Sequence, residues 1–305
     1  MTRILITGAE GFIGTHLVSE LNSSEYSLIC LTRESLAESD GSAISGQTDW
    51  SNYLTDVDVV IHLANAAHTN NISTEELEEV NVLATRNLVQ QSIQSGVQQL
   101  VYISSSKVYG EKVTSRVSEK TPLNENDCDD YGRSKLRAEN AIKDGCQSSQ
   151  LKYTIIRPPL VYGIGAKANL VSLIRLCDSP MPLPFGKFKE PKSMVSVTNL
   201  VNLISHCIKN TAAENQVFNV SDQSTTSLYE LLTDIRASMN RSQRIWPVPK
   251  FLVNFLMKIL GKSEQFDKLD QPLVVSSELV QEQLNWKPTD DRGQVLKAMV
   301  YHQLK

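Results

Sequence analysis

The sequence has no C-x-x-C pair and no H-E-x-x-H run. Its five cysteines (30, 128, 146, 177, 207) and five histidines (16, 62, 68, 206, 302) are scattered singly. Isolated cysteines read as reduced thiols rather than a disulfide framework, and without ligand spacings no metal is expected. His62 sits in an apolar run and reads as a buried residue with its hydrogen bonds satisfied. A net charge of −4 with no basic stripe argues against nucleic acid as a partner. The N-terminus lacks the basic region, long apolar stretch and small-residue cleavage site of a secretory leader, so a cytoplasmic protein is expected. No apolar run reaches the roughly 20 residues that cross a bilayer. The nearest, Pro249 to Leu260, reads as a helix packed in a smaller lobe, with interfacial membrane contact as the alternative. No internal repeat is evident.

What is present is a glycine turn at the start of the chain. The apolar run Ile4-Leu5-Ile6 leads into Thr7-Gly8-Ala9-Glu10-Gly11-Phe12-Ile13-Gly14, and an amphipathic stretch follows to Leu21. This is the strand, turn and helix setting of a phosphate cradle. Unpaired N–H groups at the helix N-terminus attract a pyrophosphate, while Gly8, Gly11 and Gly14 permit the tight turn, close ligand approach and close helix packing.

Far downstream stands Tyr131-Gly132-Arg133-Ser134-Lys135. Its segment to Ile142 reads as helix, which puts Tyr131 and Lys135 on one face. A phenol with a free pKa of about 10 needs a neighbouring cation to act as a base near neutral pH, and Lys135 is placed to supply it. A solvated Tyr/Lys pair is the alternative. A third element weighs against that alternative: the run Leu100 to Ile103 ends in Ser104-Ser105-Ser106-Lys107-Val108-Tyr109-Gly110, putting hydroxyls at the carboxyl end of a strand.

Strand-like runs at Arg3–Thr7, Ser27–Thr32, Val57–Leu63, Gln99–Ser104, Tyr153–Arg157 and Val217–Val220 alternate with helical patterns. This layout predicts an α/β fold with a doubly wound parallel sheet covered on both faces. In the helix over 75–94, Leu77, Val80, Ala84, Leu88 and Gln91 form one stripe with Asn81 beside it. The Pro/Lys/Gly-rich text of 164–193 reads as an insertion over the strand ends. The sheet is expected to resume with Met194–Ile208 and Val217–Val220. The partition is then 1–163 plus about 194–220 for a nucleotide-binding domain, and about 164–193 plus 221–305 for a smaller C-terminal substrate lobe.

In order along the chain, TGAEGFIG (7–14), DVVIHLANAAH (58–68), Asn81, ISSSKVYGE (103–111), YGRSK (131–135), RPPLVYG (157–163) and WKP (286–288) make it resemble the extended short-chain dehydrogenase/reductases. The likeness is to their nucleotide-sugar epimerases, dehydratases and ketoreductases, and covers essentially the whole chain. It implies a Rossmann-like sheet. It makes Tyr131 the acid/base, Lys135 the residue that holds the nicotinamide ribose and lowers the tyrosine pKa, and Ser105 the hydrogen-bond partner of the sugar oxygen, with Ser106 its neighbour. Cofactor contacts are implied for Gly8, Gly11, Phe12, Ile13, Gly14, Arg33, Leu63, Ala64, Asn81, Tyr131, Lys135 and Pro158. Substrate contacts are implied for Ser105, Ser106, Asn169, Leu170 and Lys192, and a homodimer through the Tyr131 helix and the 75–94 helix. Where many relatives read R-P-F-N-V-Y-G, this chain has Leu160 in place of the asparagine.

The cofactor is NAD or NADP: Thr32 takes the position where an acidic residue would hold the ribose hydroxyls, and Arg33 could accept a phosphate. Ser106 and Lys107 stand where the 4,6-dehydratases carry an Asp-Glu pair, which disfavours elimination. A 4-epimerase acting on a UDP-linked hexose or N-acetylhexosamine is the first reading. A 4-keto-6-deoxy-hexosamine reductase for surface polysaccharides is the second, and a non-enzymatic cofactor sensor the remote third.

Overall fold

The computed structural model describes residues 1–22, 25–32, 44–66, 72–113, 116–166, 169–259 and 271–304. Six strands, β1 (Thr2–Thr7), β2 (Tyr26–Leu31), β3 (Val59–His62), β4 (Gln99–Ile103), β5 (Lys152–Arg157) and β8 (Gln216–Asn219), form one sheet in the order β2-β1-β3-β4-β5-β8. Every pairing is parallel. The chain runs outward from β1 to β2 and then returns to place β3 on the other side of β1. The β1/β3 boundary is therefore the point where strand order reverses and a crevice opens at the carboxyl ends.

The strands are apolar on both sides because both sides are covered. Ile4, Ile6, Ile61, Val101, Ile103, Ile156 and Phe218 join a cluster with helices α1 (Phe12–Leu21) and α5 (Val197–Cys207). Leu5, Val60, Leu100, Tyr102 and Ile155 face the opposite way onto Leu88, Val89, Ala138 and Ile142. Continuous runs rather than alternation are what a parallel sheet between two helical layers requires.

The helical segment 74–94, here α2, contains a π-helical turn at Glu78–Leu83. That extra residue per turn shifts the apolar stripe by one position. Asn81, Val82, Thr85, Leu88, Val89 and Ser92 are buried, whereas Val80 is only half-buried. Asn81 and Thr85 thus face inward rather than beside the stripe. Helix α3 (Asp130–Cys146) packs along α2.

Met194–Ser196 does not rejoin the large sheet as the sequence led us to expect. It forms β7, paired in parallel with β6 (Leu160–Tyr162) in a separate two-stranded sheet, and residues 197–207 continue as α5 against α1. Ser196 explains the break: its hydroxyl accepts the Asn199 N–H at 2.9 Å, an N-cap that starts the helix after three strand residues.

A second core collects Leu170, Leu173, Ile174, Cys177, Phe185 and Phe188 with residues of α6 (Leu228–Ser238) and of the terminal helix at Arg292–Leu304. Ser227 and Glu230 close a capping box at the start of α6. Val280, Leu284 and Trp286 pack with the large sheet's cluster instead. Among the described residues no helix is long and apolar enough to cross a membrane.

Candidate active site

The glycine turn closes against the end of β3. Gly8 has φ +72°, and a Cβ there would stand 2.8 Å from the Ala64 nitrogen. A Cβ on Gly14 would meet the Gly8 carbonyl oxygen at 2.3 Å. Both positions demand glycine, the first for its backbone and the second for the close approach of α1 to the turn. Gly11 is the N-cap of α1 and supplies no side-chain cap, so that the first N–H groups of the helix stay directed at the turn. This cradle fits a dinucleotide diphosphate.

A hydrogen-bond relay fixes the β3 side of the cradle. Thr85 donates its hydroxyl hydrogen to the Asn81 carbonyl at 2.7 Å, so its oxygen accepts from His62 Nε2–H at 3.0 Å. His62 Nδ1 then accepts from the Thr7 hydroxyl at 2.7 Å, and Thr7 Oγ1 accepts from the Ala64 N–H at 3.2 Å. The imidazole is neutral, as expected of a satisfied buried residue. Burial first, with the Lys135 charge second, pushes its pKa down to about 3. An unfolded histidine titrates near 6.5, so this group's stabilisation is complete above that pH and is lost as pH falls toward 3. We expect about 2 kcal/mol of stability lost through His62 between pH 7 and pH 5. Urea unfolding should show this fall in the wild type and a smaller one in His62→Asn.

Asn81 is buried, with its oxygen accepting from Ala66 N–H at 2.7 Å and its amide donating to Ala66 O at 3.0 Å and Ser134 Oγ at 2.9 Å. Its polar atoms are spent in tying the loop after β3 to α3. Leu63 and Ala64 line the strand end, the former buried and the latter half-buried. Phe12 and Ile13 are half-buried at the start of α1, with Phe12 edge-on to His16. Arg33 lies outside the described residues.

The hydroxyl-bearing turn after β4 and the start of α3 are pressed together. A Cβ on Gly132 would lie 2.5 Å from the Lys107 carbonyl oxygen, so Gly132 is what lets the Tyr131 turn approach this loop. Asp129 caps α3 through Gly132 N–H at 2.8 Å and also takes Lys107 Nζ at 2.9 Å. Ser105 is half-buried, and its hydroxyl oxygen accepts the Lys107 N–H at 3.2 Å. Ser106 is buried, and its N–H donates to Pro158 O at 2.8 Å, which ties the turn to the end of β5.

Lys135 is 1% exposed. Its Nζ donates to the Ile103 carbonyl at 2.7 Å and stands 4.3 Å from the centroid of the Tyr102 ring. Desolvation brings its pKa down to about 7, opposed by the Glu139 carboxylate. Half-buried Tyr131 is pushed the other way, up to about 12, by desolvation and then by Asp129. The residue set is thus assembled, but Lys135 is held by a carbonyl oxygen and does not offset the rise at Tyr131.

One substrate expectation is placed differently. Leu170 is 2% exposed and belongs to the second core, so its side chain supports α4 (Asn169–Asp178) rather than facing a ligand. The side chain of Asn169 lies outside the described residues. Lys192 exchanges backbone hydrogen bonds with Thr226 at 2.7 and 2.8 Å, linking the insertion to the stretch that leads into α6. Leu160 is 47% exposed on β6.

The sequence reading missed the buried charges beneath this site. Glu139 accepts from Ser104 Oγ at 2.5 Å and from Arg157 Nε and Nη2 at 2.9 and 2.6 Å. Arg157 also donates to the Tyr109 hydroxyl at 2.9 Å, which donates to Asn219 at 2.9 Å. Glu139 stands four residues beyond Lys135, which is the same helix face, and that spacing was the available signal.

A glycine cradle at the strand-order reversal, beside a buried lysine and a tyrosine and serine held on adjoining turns, defines a dinucleotide-binding α/β enzyme. A model of the NAD dependent epimerase/dehydratase family matches residues 4–221, and the chain belongs to that family. It is 38% identical over 296 residues to a UDP-glucose 4-epimerase of Vibrio cholerae, covering 93% of this chain and 90% of that one. It is 27% identical over 277 residues to the N-acetyl-alpha-D-glucosaminyl-diphospho-ditrans,octacis-undecaprenol 4-epimerase of Escherichia coli O157:H7, covering 85% and 81%. The fold matches that of UDP-glucuronic acid 4-epimerase from Bacillus cereus, solved with NAD, at a TM-score of 0.80 and 20% identity over 99% of both chains.

Proposed function

We propose that this protein is an NAD(P)-dependent sugar 4-epimerase acting on a hexose or N-acetylhexosamine carried by UDP. The observation that carries this reading is the gathering of Ser105, Tyr131 and Lys135 at the carboxyl end of β4, next to a cradle that only glycines can form. The likeness to the Vibrio cholerae enzyme over 93% of the chain supports the sugar and its carrier.

Tyr131 takes the proton from the 4-hydroxyl and returns one at the end of the cycle. Ser105 hydrogen-bonds the same oxygen and holds it in line. Lys135, freed from the Ile103 carbonyl, turns its charge toward the phenolate and the cofactor ribose. The turn at Gly8 to Gly14 holds the diphosphate, with Leu63, Ala64 and Pro158 along the crevice. When bound, a nicotinamide would supply reversible hydride exchange at carbon 4, so that the carbon can be inverted with no net redox change.

A diphospho-polyprenol carrier is a second reading. The Escherichia coli relative favours it, since both carriers present a sugar on a diphosphate to the same acid/base pair. We also propose a homodimer that pairs α2 and α3, which lie side by side on one face of the sheet.

Proton NMR of UDP-glucose or UDP-N-acetylglucosamine incubated with catalytic protein tests the reading. Appearance of the 4-inverted sugar without cofactor consumption is the expected result. Inertness toward both, with stoichiometric NADPH oxidation on a UDP-4-keto-6-deoxy-hexosamine, would replace it with the reductase.

A further inference from the structure

Helix α7 (Lys250–Ile259) is apolar on the side that faces away from the protein. Its inner side is anchored: Val253 is 2% exposed within the second core, and Lys250 sits over the Phe188 ring and pairs with Glu190 at 3.2 Å. Outward stand Phe251, Leu252, Phe255 and Ile259, with relative exposures of 69, 48, 65 and 66%. Their spacing at i, i+1, i+4 and i+8 places them on one helical face. Trp246, 58% exposed, comes just before the helix. A surface helix normally hides such a stripe, and a contiguous apolar patch of this kind marks an interaction surface.

The charges around the patch say what covers it. Residues 240–259 contain Arg241, Arg244, Lys250 and Lys258 and no acidic residue; Arg241 pairs with Asp178 at 2.6 Å and Lys250 with Glu190 at 3.2 Å, while Arg244 and Lys258 are exposed and carry the positive charge of this flank. With four of the chain's 30 basic residues here, 26 remain against 34 acidic ones, so the rest of the protein is negative. Lys258 is exposed on the edge of the apolar face. Apolar and aromatic side chains flanked by cations suit the boundary of a bilayer that carries anionic headgroups. A second copy docking by the same face would bring the basic residues against their own counterparts, which is repulsive.

We propose that the α7 face docks peripherally on an anionic phospholipid membrane, with Trp246, Phe251, Phe255 and Ile259 entering the headgroup boundary and Lys258 meeting lipid phosphates. The docking is independent of the activity proposed above. It holds for either sugar carrier, because the surface lies on the lobe and uses none of the residues of the crevice.

The test is flotation of the full chain with vesicles of phosphatidylcholine alone or with 30 mol% phosphatidylglycerol, a composition chosen at about the anionic content that gives a sizeable surface potential. We expect at least roughly tenfold more protein bound to the anionic vesicles, and a loss of about tenfold or more in Phe251→Ser/Phe255→Ser. Lys258→Glu should weaken binding to anionic vesicles, and raised salt should do the same. Both variants change exposed side chains, and circular dichroism with a thermal melt confirms that they fold. Failure to float with either vesicle overturns the proposal. So does unchanged binding by the double variant, or a soluble dimer that dissociates in that variant without any vesicle binding. Sugar inversion measured on the same samples reports separately on the activity.

Discussion

Tyr131→Phe is expected to lower kcat by about three orders of magnitude while KM changes little, within the range found for removing a positioned acid/base group. Tyr131 is half-buried at the first turn of α3, and among the described residues its hydroxyl makes no hydrogen bond. Removing that oxygen costs the fold little, so the melting temperature should stay within a few degrees of wild type. Burial and Asp129 push the phenol up to about 12, so it is protonated at neutral pH in this arrangement. In the proposed mechanism the same residue must start as the phenolate to take the proton of the 4-hydroxyl, and this makes the Lys135 charge matter. Nζ now spends itself on the Ile103 carbonyl at 2.7 Å. Steady-state kinetics of UDP-glucose inversion, with a melt on each sample, separates loss of chemistry from loss of structure. Retention of more than about a tenth of wild-type kcat would remove Tyr131 from its assigned role.

The main sheet was legible because each strand is a short run of β-branched and apolar residues closed by a turn. All six were placed within about two residues of where they stand, the uncertainty usual for element ends. Met194–Ser196 was misplaced for a physical reason: two apolar residues and a capping serine leading into a helix carry no information about which sheet they join. The glycine turn and the Y-x-x-x-K pair were legible because each depends on local spacing. The His62 relay was half legible. Its burial could be read from Val59 to His62, but Thr7 and Thr85 come from elements 55 and 23 residues away. The outward face of α7 was the least accessible. A stretch apolar on several sides does not say which side meets the core, and the interfacial reading stood only as an alternative to packing in the lobe.

The largest effect on stability is expected at Glu139, through the charge it would leave behind. Glu139 is 0% exposed and Arg157 2%, and their two hydrogen bonds at 2.9 and 2.6 Å join α3 to β5 beneath the crevice. Glu139→Ala strips the guanidinium of its countercharge in a place water does not reach, which costs on the order of 3–5 kcal/mol. It also frees Ser104 Oγ at the end of β4 and removes the carboxylate that opposes the fall of the Lys135 pKa. The pair itself is worth far less than its rupture, since burying two charges costs most of what their attraction returns. Glu139→Leu/Arg157→Met should therefore recover a good part of the loss, although Arg157 also anchors the Tyr109 hydroxyl at 2.9 Å. A double-mutant cycle by urea unfolding measures the coupling. If Glu139→Ala and the double variant were equally unstable, the cost would lie in lost packing and not in an unpaired arginine. The activity of the double variant then reads a separate quantity. With Glu139 gone, Lys135 sheds its proton at lower pH, so the alkaline limb of kcat, where the lysine loses the charge that favours the phenolate, should move to lower pH while the fold survives.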